Sequence, residues 1–426
     1  MRLISWYFKI SLLVRILAGL ILGAAAGLIF GPQIDIISPA GDIFVNLLKM
    51  IVMPVIISTL VVGAGSIHPA QLGRVGVKAL GFYTLTTGFA VAVGLFFGNL
   101  FQPGKGMDLG QTSGAAVPQV VMETPSLGET IMNIVPVNPF HAIISGDVLP
   151  TIFFCLVFGI AIANLKQSDD ERIQKAAASI YRFFEGFAEV MYLVVDWILQ
   201  YAPIGVFALI AVVFGKQGSE AFGPLGMTTL ALYLAFSTHI IFVYGTGLIL
   251  FKLNPIQFFK KAKQAMLTGF VTRSSGGTLP VSMEIAEKEM GVDKGVYSFS
   301  LPLGSTINMD GTAIYQGVCA IFIGFAIGSP LDFSQQMTII ATAVLASIGT
   351  AGVPGAGAIM LMMVLDSVGL KVETGTPVAM AYAMIFGIDA LLDMGRTVTN
   401  VTGDLTVTCI VAKSENEMDL SVWKTK

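Results

Sequence analysis

The sequence predicts an all-α integral membrane protein with eight transmembrane helices and two re-entrant helical hairpins. Three observations carry that expectation. Hydrophobic residues make up 54% of the 426 residues and charged residues 12%, with mean hydropathy +0.79, whereas a soluble globular chain carries about 25% charged residues. The apolar residues gather into stretches of bilayer length, where a charged group is expensive. Two stretches in the C-terminal half are interrupted by Ser/Gly or Gly/Pro runs. A large soluble α/β protein with buried parallel strands is the competing class, and the apolar stretches are too long and too many for it. The 47 glycines suit a membrane bundle, because small residues let helix backbones approach.

A hydrocarbon core about 30 Å thick takes roughly 20 helical residues to cross. Residues 10–31, 43–65, 78–100, 141–165, 186–212 and 225–251 each fit, and the last lies in a charge-free run from Ala221 to Phe251. Met1 to Phe30 has some signal-peptide character but no convincing cleavage site, and further spans follow, so a retained first helix is expected. Residues 112–145 read as loop or re-entrant material, interrupted by Pro136 and Pro139.

The second half is patterned differently. Residues 258–291 are a broken apolar region centred on Arg273-Ser274-Ser275-Gly276-Gly277-Thr278, followed by Pro280. Residues 295–327 break at Asn308-Met309-Asp310-Gly311-Thr312. Residues 333–365 carry no charge, and the run from Gly349 to Gly357, rich in glycine and containing Pro354, divides them into flanks too short to span alone. That second hairpin is placed at 334–367. Residues 377–412 form one long apolar helix carrying Asp389, Asp393, Arg396, Asn400 and Asp404. Irregular backbone at membrane depth is tolerated only where protein or a cavity covers it. A hairpin followed by a helix occurs twice, which points to inverted repeats with a binding site between them.

With the N-terminus inside, 18 of the 24 Lys and Arg residues fall in inner regions, four outside and two, Arg273 and Arg396, at a hairpin tip and mid-helix. The asymmetry follows the positive-inside rule and predicts cytoplasmic termini.

Arg396 is the most informative residue. Asp393 precedes it by three and Asn400 follows by four, so the three share a helical face, which Asp389 and Asp404 extend. One reading is a self-satisfied structural ion-pair network. The other is a polar lining for a charged solute: a guanidinium fork matches a carboxylate, and an Asp one turn away accepts from an ammonium. Together they complement an acidic amino acid. The helix breaks supply the rest. Free N–H groups at a helix start, as at Ser274 to Thr278, attract a carboxylate. Free carbonyls near Asn308-Met309-Asp310 attract a small cation. Each Gly-rich tip alone reads equally as a plain turn.

Enzyme chemistry is not expected. The histidines, His68, His141 and His239, stand apart from one another and from the cysteines, and His141 and His239 read as packed or interface residues. Cys155, Cys319 and Cys409 lie in apolar contexts and read as packing residues. No Gly-x-Ser-x-Gly or phosphate-binding Gly-rich loop occurs, so ATP is not expected as the direct energy source. A formal net charge of -3 carries no nucleic-acid signal.

Four stretches, TRSSGGTLP at 272–280, NMDGT at 308–312, GVPGAG at 352–357 and DMGRTVTNVTGD at 393–404, resemble the sodium-coupled dicarboxylate/amino-acid symporters, a family that includes glutamate and aspartate transporters. The resemblance covers essentially the whole chain and looks closest to the archaeal-type sodium–aspartate symporters. It implies that Arg396 holds the side-chain carboxylate of aspartate and that Asp393 holds its ammonium. Thr312 and Asn400 match further substrate contacts; Ser275 and Val353 match hairpin-tip contacts made largely by backbone, with Gly357 beside them. It implies two or three co-transported sodium ions. One maps onto Gly304, Asn308, Asn400 and Asp404, a second onto Thr306, Ser347, Ile348 and Thr350, and a third onto Tyr83, Thr86, Thr87, Asn308 and Asp310. It further implies a homotrimer in the plasma membrane with an elevator-type mechanism. Residues 10–65 and 141–212 match the scaffold; 78–100 and 225–412 match the mobile transport part, with the second hairpin as gate. Relatives commonly show a third serine where this chain has Gly276, and relatives that move a proton and counter-transport potassium carry a glutamate where it has Gln316. A membrane receptor, a channel or a purely structural membrane protein are the alternatives from other classes. Glutamate, a neutral amino acid or a C4-dicarboxylate are the alternative solutes.

Overall fold

A computed structural model describes residues 10–66, 72–107, 109, 135–348, 350 and 352–424. Among these, regular structure is helical apart from one bridge between Val292 and Met418. Residues 112–134 of the expected loop, His68, and Gly349 and Ala351 of the second tip lie outside the described residues.

Helix α1 (Leu12–Phe30) begins where the Ser11 hydroxyl accepts from the Val14 N–H, and a 3-10 turn, Gly31–Ile37, leads from it into α2 (Ser38–Ser66). Helix α3 is Val77–Phe101. The expected single span at 141–165 is instead two helices, α4 (Pro139–Ser145) and α5 (Val148–Leu165). Gly146 separates them in the left-handed conformation, at φ 77°, where residues with a side chain are strained. The expected span at 186–212 is the middle of a 47-residue helix, α6 (Glu171–Gln217), started by the Asp170 side chain. At 1.5 Å per residue it is about 70 Å long, more than twice the hydrocarbon thickness. Helix α7 (Phe222–Thr238) runs through a π turn, His239–Tyr244, into α8 (Gly245–Leu250).

The broken regions fold as paired helices: α9 (Pro255–Thr272) with α10 (Ser275–Lys288), then α11 (Lys294–Ile307) with α12 (Asp310–Ala326), then α13 (Phe333–Ser347) with α14 (Ala356–Ser367). Helix α15 is Pro377–Glu415, and α16 (Leu420–Lys424) closes the chain. Helices α13 and α14, of 15 and 12 residues, reach about 22 and 18 Å. Neither crosses a bilayer core alone. Among the described residues, six helical stretches are long and apolar enough to do so, the first covering α1 and α2 together.

Two packing groups follow. Helices α1, α2 and α5 pack on α6, while α3, α9, α11 and α12 each pack on α15, α3 packs on α12 as well, and α15 also touches α1 and α6. Small residues set the first seam. A Cβ on Gly19 would lie 2.5 Å from the carbonyl oxygen of Pro203, and one on Gly23 would lie 2.6 Å from that of Phe207. The glycines at every fourth position of α1 therefore let it lie backbone to backbone on α6. The second group surrounds the charged residues: α12 and α15 are buried along nearly their whole length.

Candidate functional site

The centre of α15 carries the site. Helical spacing stacks Asp389, Asp393, Arg396, Asn400 and Asp404, and all five are at most 5% exposed. The Arg396 guanidinium is clasped by both preceding acids. Its Nε and Nη2 donate to Asp393 Oδ1 at 3.1 and 2.7 Å, and its Nη1 donates to Asp389 Oδ1 at 3.0 Å. Its flat face lies over the Tyr315 ring of α12, 4.4 Å from the centroid. The start of α14 closes the other side: a Cβ on Gly357 would sit 2.5 Å from Arg396 Nη1, so only glycine leaves room for the fork. The second oxygen of Asp393 accepts from the Gly355 N–H at 3.4 Å. Asn400 Oδ1 accepts from the Gly311 N–H at 2.7 Å, which brings it beside Thr312, itself buried.

The two broken tips meet at one carbonyl. Gly352 O accepts from the Ser274 hydroxyl at 2.7 Å and from the Gly276 N–H at 3.2 Å. Ser274 also caps α10, its Oγ accepting from the Gly277 N–H at 2.9 Å. Ser275, the first residue of α10, is buried, and Val353 lies half-buried in the second tip.

Two of the three oxygen sets assemble around the α11–α12 break. Asn308 Nδ2 donates to Asp404 Oδ1 at 3.0 Å and to Asn400 O at 3.3 Å, and a Cβ on Gly304 would lie 2.7 Å from Asp404 Oδ1 and 2.6 Å from the Tyr83 hydroxyl. Next to it, Thr87 Oγ1 donates to Asp310 Oδ1 at 2.7 Å, and Thr86 Oγ1 lies 3.5 Å from Asn308 Oδ1. The Tyr83 hydroxyl itself donates to Ser300 O at 2.9 Å. The donor atoms are carboxylate, amide, hydroxyl and carbonyl oxygens, the hard set that suits a small alkali cation. The other set is not drawn together by hydrogen bonds: Thr306, Ser347 and Thr350 each close on their own chain, to Leu303 O, Val344 O and Ala346 O, with Ile348 in the same turn.

Sequence reasoning missed several partners. His239 read as a packed or interface histidine; its Nε2 lies 3.2 Å from Asp310 Oδ2, to which the Tyr244 hydroxyl donates at 2.8 Å. His239 and Tyr244 are the first and last residues of the π turn, and local hydropathy carries no signal for a bond across 71 residues. Asp389 was legible as part of the stripe, but not as the fork's second partner; the spacing of seven is the signal that could have found it. Tyr315 carried none.

Long apolar helices around a buried charged stripe define a multi-pass membrane protein with a polar site at its core. The profile of the Sodium:dicarboxylate symporter family matches residues 12–414, and the chain belongs to that family. It is 37% identical over 418 residues to the proton/sodium-glutamate symport protein of Geobacillus stearothermophilus, covering 96% of both chains. It is 33% identical over 427 residues to the proton/glutamate-aspartate symporter of Escherichia coli K12, covering 96% of this chain and 94% of that one. It is also 31% identical over 417 residues to the C4-dicarboxylate transport protein of Bacillus subtilis, at 96% and 94% coverage.

Proposed function

We propose that this chain couples inward sodium flow to uptake of an acidic amino acid, L-aspartate, across the plasma membrane. The observation that carries this is the buried Arg396 fork with Asp393 beside it. The side-chain carboxylate of aspartate takes the fork bidentately, in place of one Asp partner. Asp393 then receives the ammonium, and Thr312, Asn400, Ser275, Val353 and Gly357 line the remaining contacts. A C4-dicarboxylate lacks that ammonium and would set a second acid against Asp393, so the geometry favours an amino acid. Glutamate needs one more methylene and is the nearest alternative; a neutral amino acid leaves the fork unused.

Charge balance supports the sodium coupling. Asp310, Asp389, Asp393 and Asp404 are buried, and among the described residues the one guanidinium paired with any of them is Arg396, which leaves an excess of three negative charges in this cluster when all are ionised. Buried charges without compensation are costly, and no Lys or Arg pairs with Asp310 or Asp404 among the described residues. Sodium at the sets around Asp404 and Asp310, with a further ion at Thr306, Ser347, Ile348 and Thr350, supplies the missing positive charge. Eight membrane crossings, two re-entrant hairpins at 258–291 and 334–367, a trimer on the 10–65 and 141–212 scaffold, an elevator movement of 78–100 and 225–412, and cytoplasmic termini complete the proposal. Proteoliposomes loaded without sodium and given an inward sodium gradient should accumulate labelled aspartate. Equal accumulation without sodium, or accumulation of malate but not aspartate, would overturn it.

A further inference from the structure

We infer that the chain carries a binding site for one anionic phospholipid, in a groove between the π turn and α9, away from the Arg396 site. A cavity of about 640 Å³ lies there, walled by Ile240, Ile241, Phe259 and Met266, with Lys260 and Lys263 at its rim. A second hollow of about 670 Å³ continues it along α9 and shares Lys260, Lys263 and Leu267. The first is apolar and the second is edged by Gln264, Thr268 and Thr272. One groove thus passes from hydrocarbon-like walls to polar ones, with two cations at the junction.

Those cations are unspent. Lys261, their neighbour, donates to Glu289 O at 2.7 Å and to Val422 O, which holds the C-terminal segment. Lys260 and Lys263 are exposed and form no ion pair among the described residues. The acid in the groove's lining is Glu289, in the second hollow only. Lys260 and Lys263 stand three apart and so project on one face of α9. The surrounding surface is apolar: Ile241, Ile256 and Leu267 are 58%, 70% and 56% exposed, values suited to contact with lipid tails. A soluble anion would use the lysines and leave the apolar hollow wet. A phospholipid fills both, with an acyl chain beside Ile240 and Met266 and the phosphate between the two ammonium groups. The excess of unpaired positive charge selects an anionic headgroup over a zwitterionic one.

The test is native mass spectrometry on the full-length protein extracted from phosphatidylcholine bilayers doped with phosphatidylglycerol. The wild-type protein should retain phosphatidylglycerol in preference. Lys260→Gln and Lys263→Gln should each lower that preference about 5-fold, and together about 30-fold, from the attraction of each lysine for an anionic surface. Arg172→Gln with Lys175→Gln removes the same charge from exposed α6 and should leave the preference intact. Ile241→Trp, which fills the hollow and keeps both lysines, should lower retention as well. Equal losses in the α6 pair and the α9 pair, displacement of the lipid by inorganic phosphate, or equal retention of phosphatidylcholine by the wild-type protein would each overturn the site.

Discussion

Arg396 is held before any ligand arrives. Its fork is fixed by Asp389 and Asp393 and its face by Tyr315, so little ordering remains to be done on binding. Arg396→Cys should weaken aspartate binding by about 2–5 kcal/mol, the cost of leaving a buried charge partner unpaired, or roughly 30-fold to 4,000-fold in Kd. It should also admit a neutral amino acid. Arg396→Lys keeps the charge and loses the fork, and should fall between the two. Calorimetric titration in sodium reads all three; an unchanged Kd for Arg396→Cys removes Arg396 from the substrate site. Asp404 is placed differently. It accepts from an amide, Asn308, and from no Lys or Arg among the described residues. Asp404→Asn keeps the size and removes the charge, so the sodium concentration for half-maximal aspartate binding should rise about tenfold, as for loss of one charge-assisted contact. Superimposable sodium titrations for the two proteins would withdraw Asp404 as a cation ligand.

At the scale of elements, the α1–α6 seam and the meeting of the tips make separable predictions. Alanine in place of glycine inside a helix ordinarily stabilises by about 0.5–1 kcal/mol. Gly88 in α3 has open space where a Cβ would go, so Gly88→Ala should follow that rule. Gly23 has the Phe207 carbonyl there instead, so Gly23→Ala should destabilise by about 1–3 kcal/mol, the usual cost of overpacking. Thermal unfolding in detergent compares them; shifts of the same sign contradict the backbone-to-backbone seam. At the tips, Ser274 both caps α10 and bonds to Gly352. Ser274→Ala should cost about 1 kcal/mol of cap and speed hydrogen exchange at the Gly277 amide about 5-fold. Unaltered exchange there shows that the cap is not formed in solution.

For the whole molecule the question is coupling. Aspartate brings net negative charge, and entry against an inside-negative potential is opposed by about 2.3 kcal/mol per charge per 100 mV. Carrying two or three sodium ions reverses the sign, so an imposed inside-negative potential should accelerate sodium-driven uptake. Slower uptake under that potential would exclude coupling to two or more sodium ions. The buried Gln316 cannot titrate, so no proton should travel on it; because the relatives that counter-transport potassium carry a glutamate at this position, the resemblance implies that uptake proceeds without internal potassium. Abolition of uptake by removing it would overturn that expectation, as would uptake driven by a pH gradient with sodium absent.

Local composition determined a good deal of this. Membrane residence, the long helices, the three helix breaks and the charged face of α15 were all legible, because hydropathy, glycine runs and helical spacing act over neighbouring residues. Local signals failed where a boundary depends on capping or on one backbone angle. Asp170 extends α6 well before its apolar part begins, and Gly146 divides what hydropathy joins. Composition and spacing did not say which polar groups meet: the resemblance alone grouped Asn308 with Asp404, and tertiary structure supplied the contacts. Asn308 finds Asp404 across 96 residues, Ser274 finds Gly352 across 78, and His239 finds Asp310 across 71. Such contacts are set by how helices pack against one another, and a buried polar atom takes whichever partner that packing brings within reach. The stripe on α15 was therefore readable, while the direction of its fork, held between two acids and a tyrosine ring, was not.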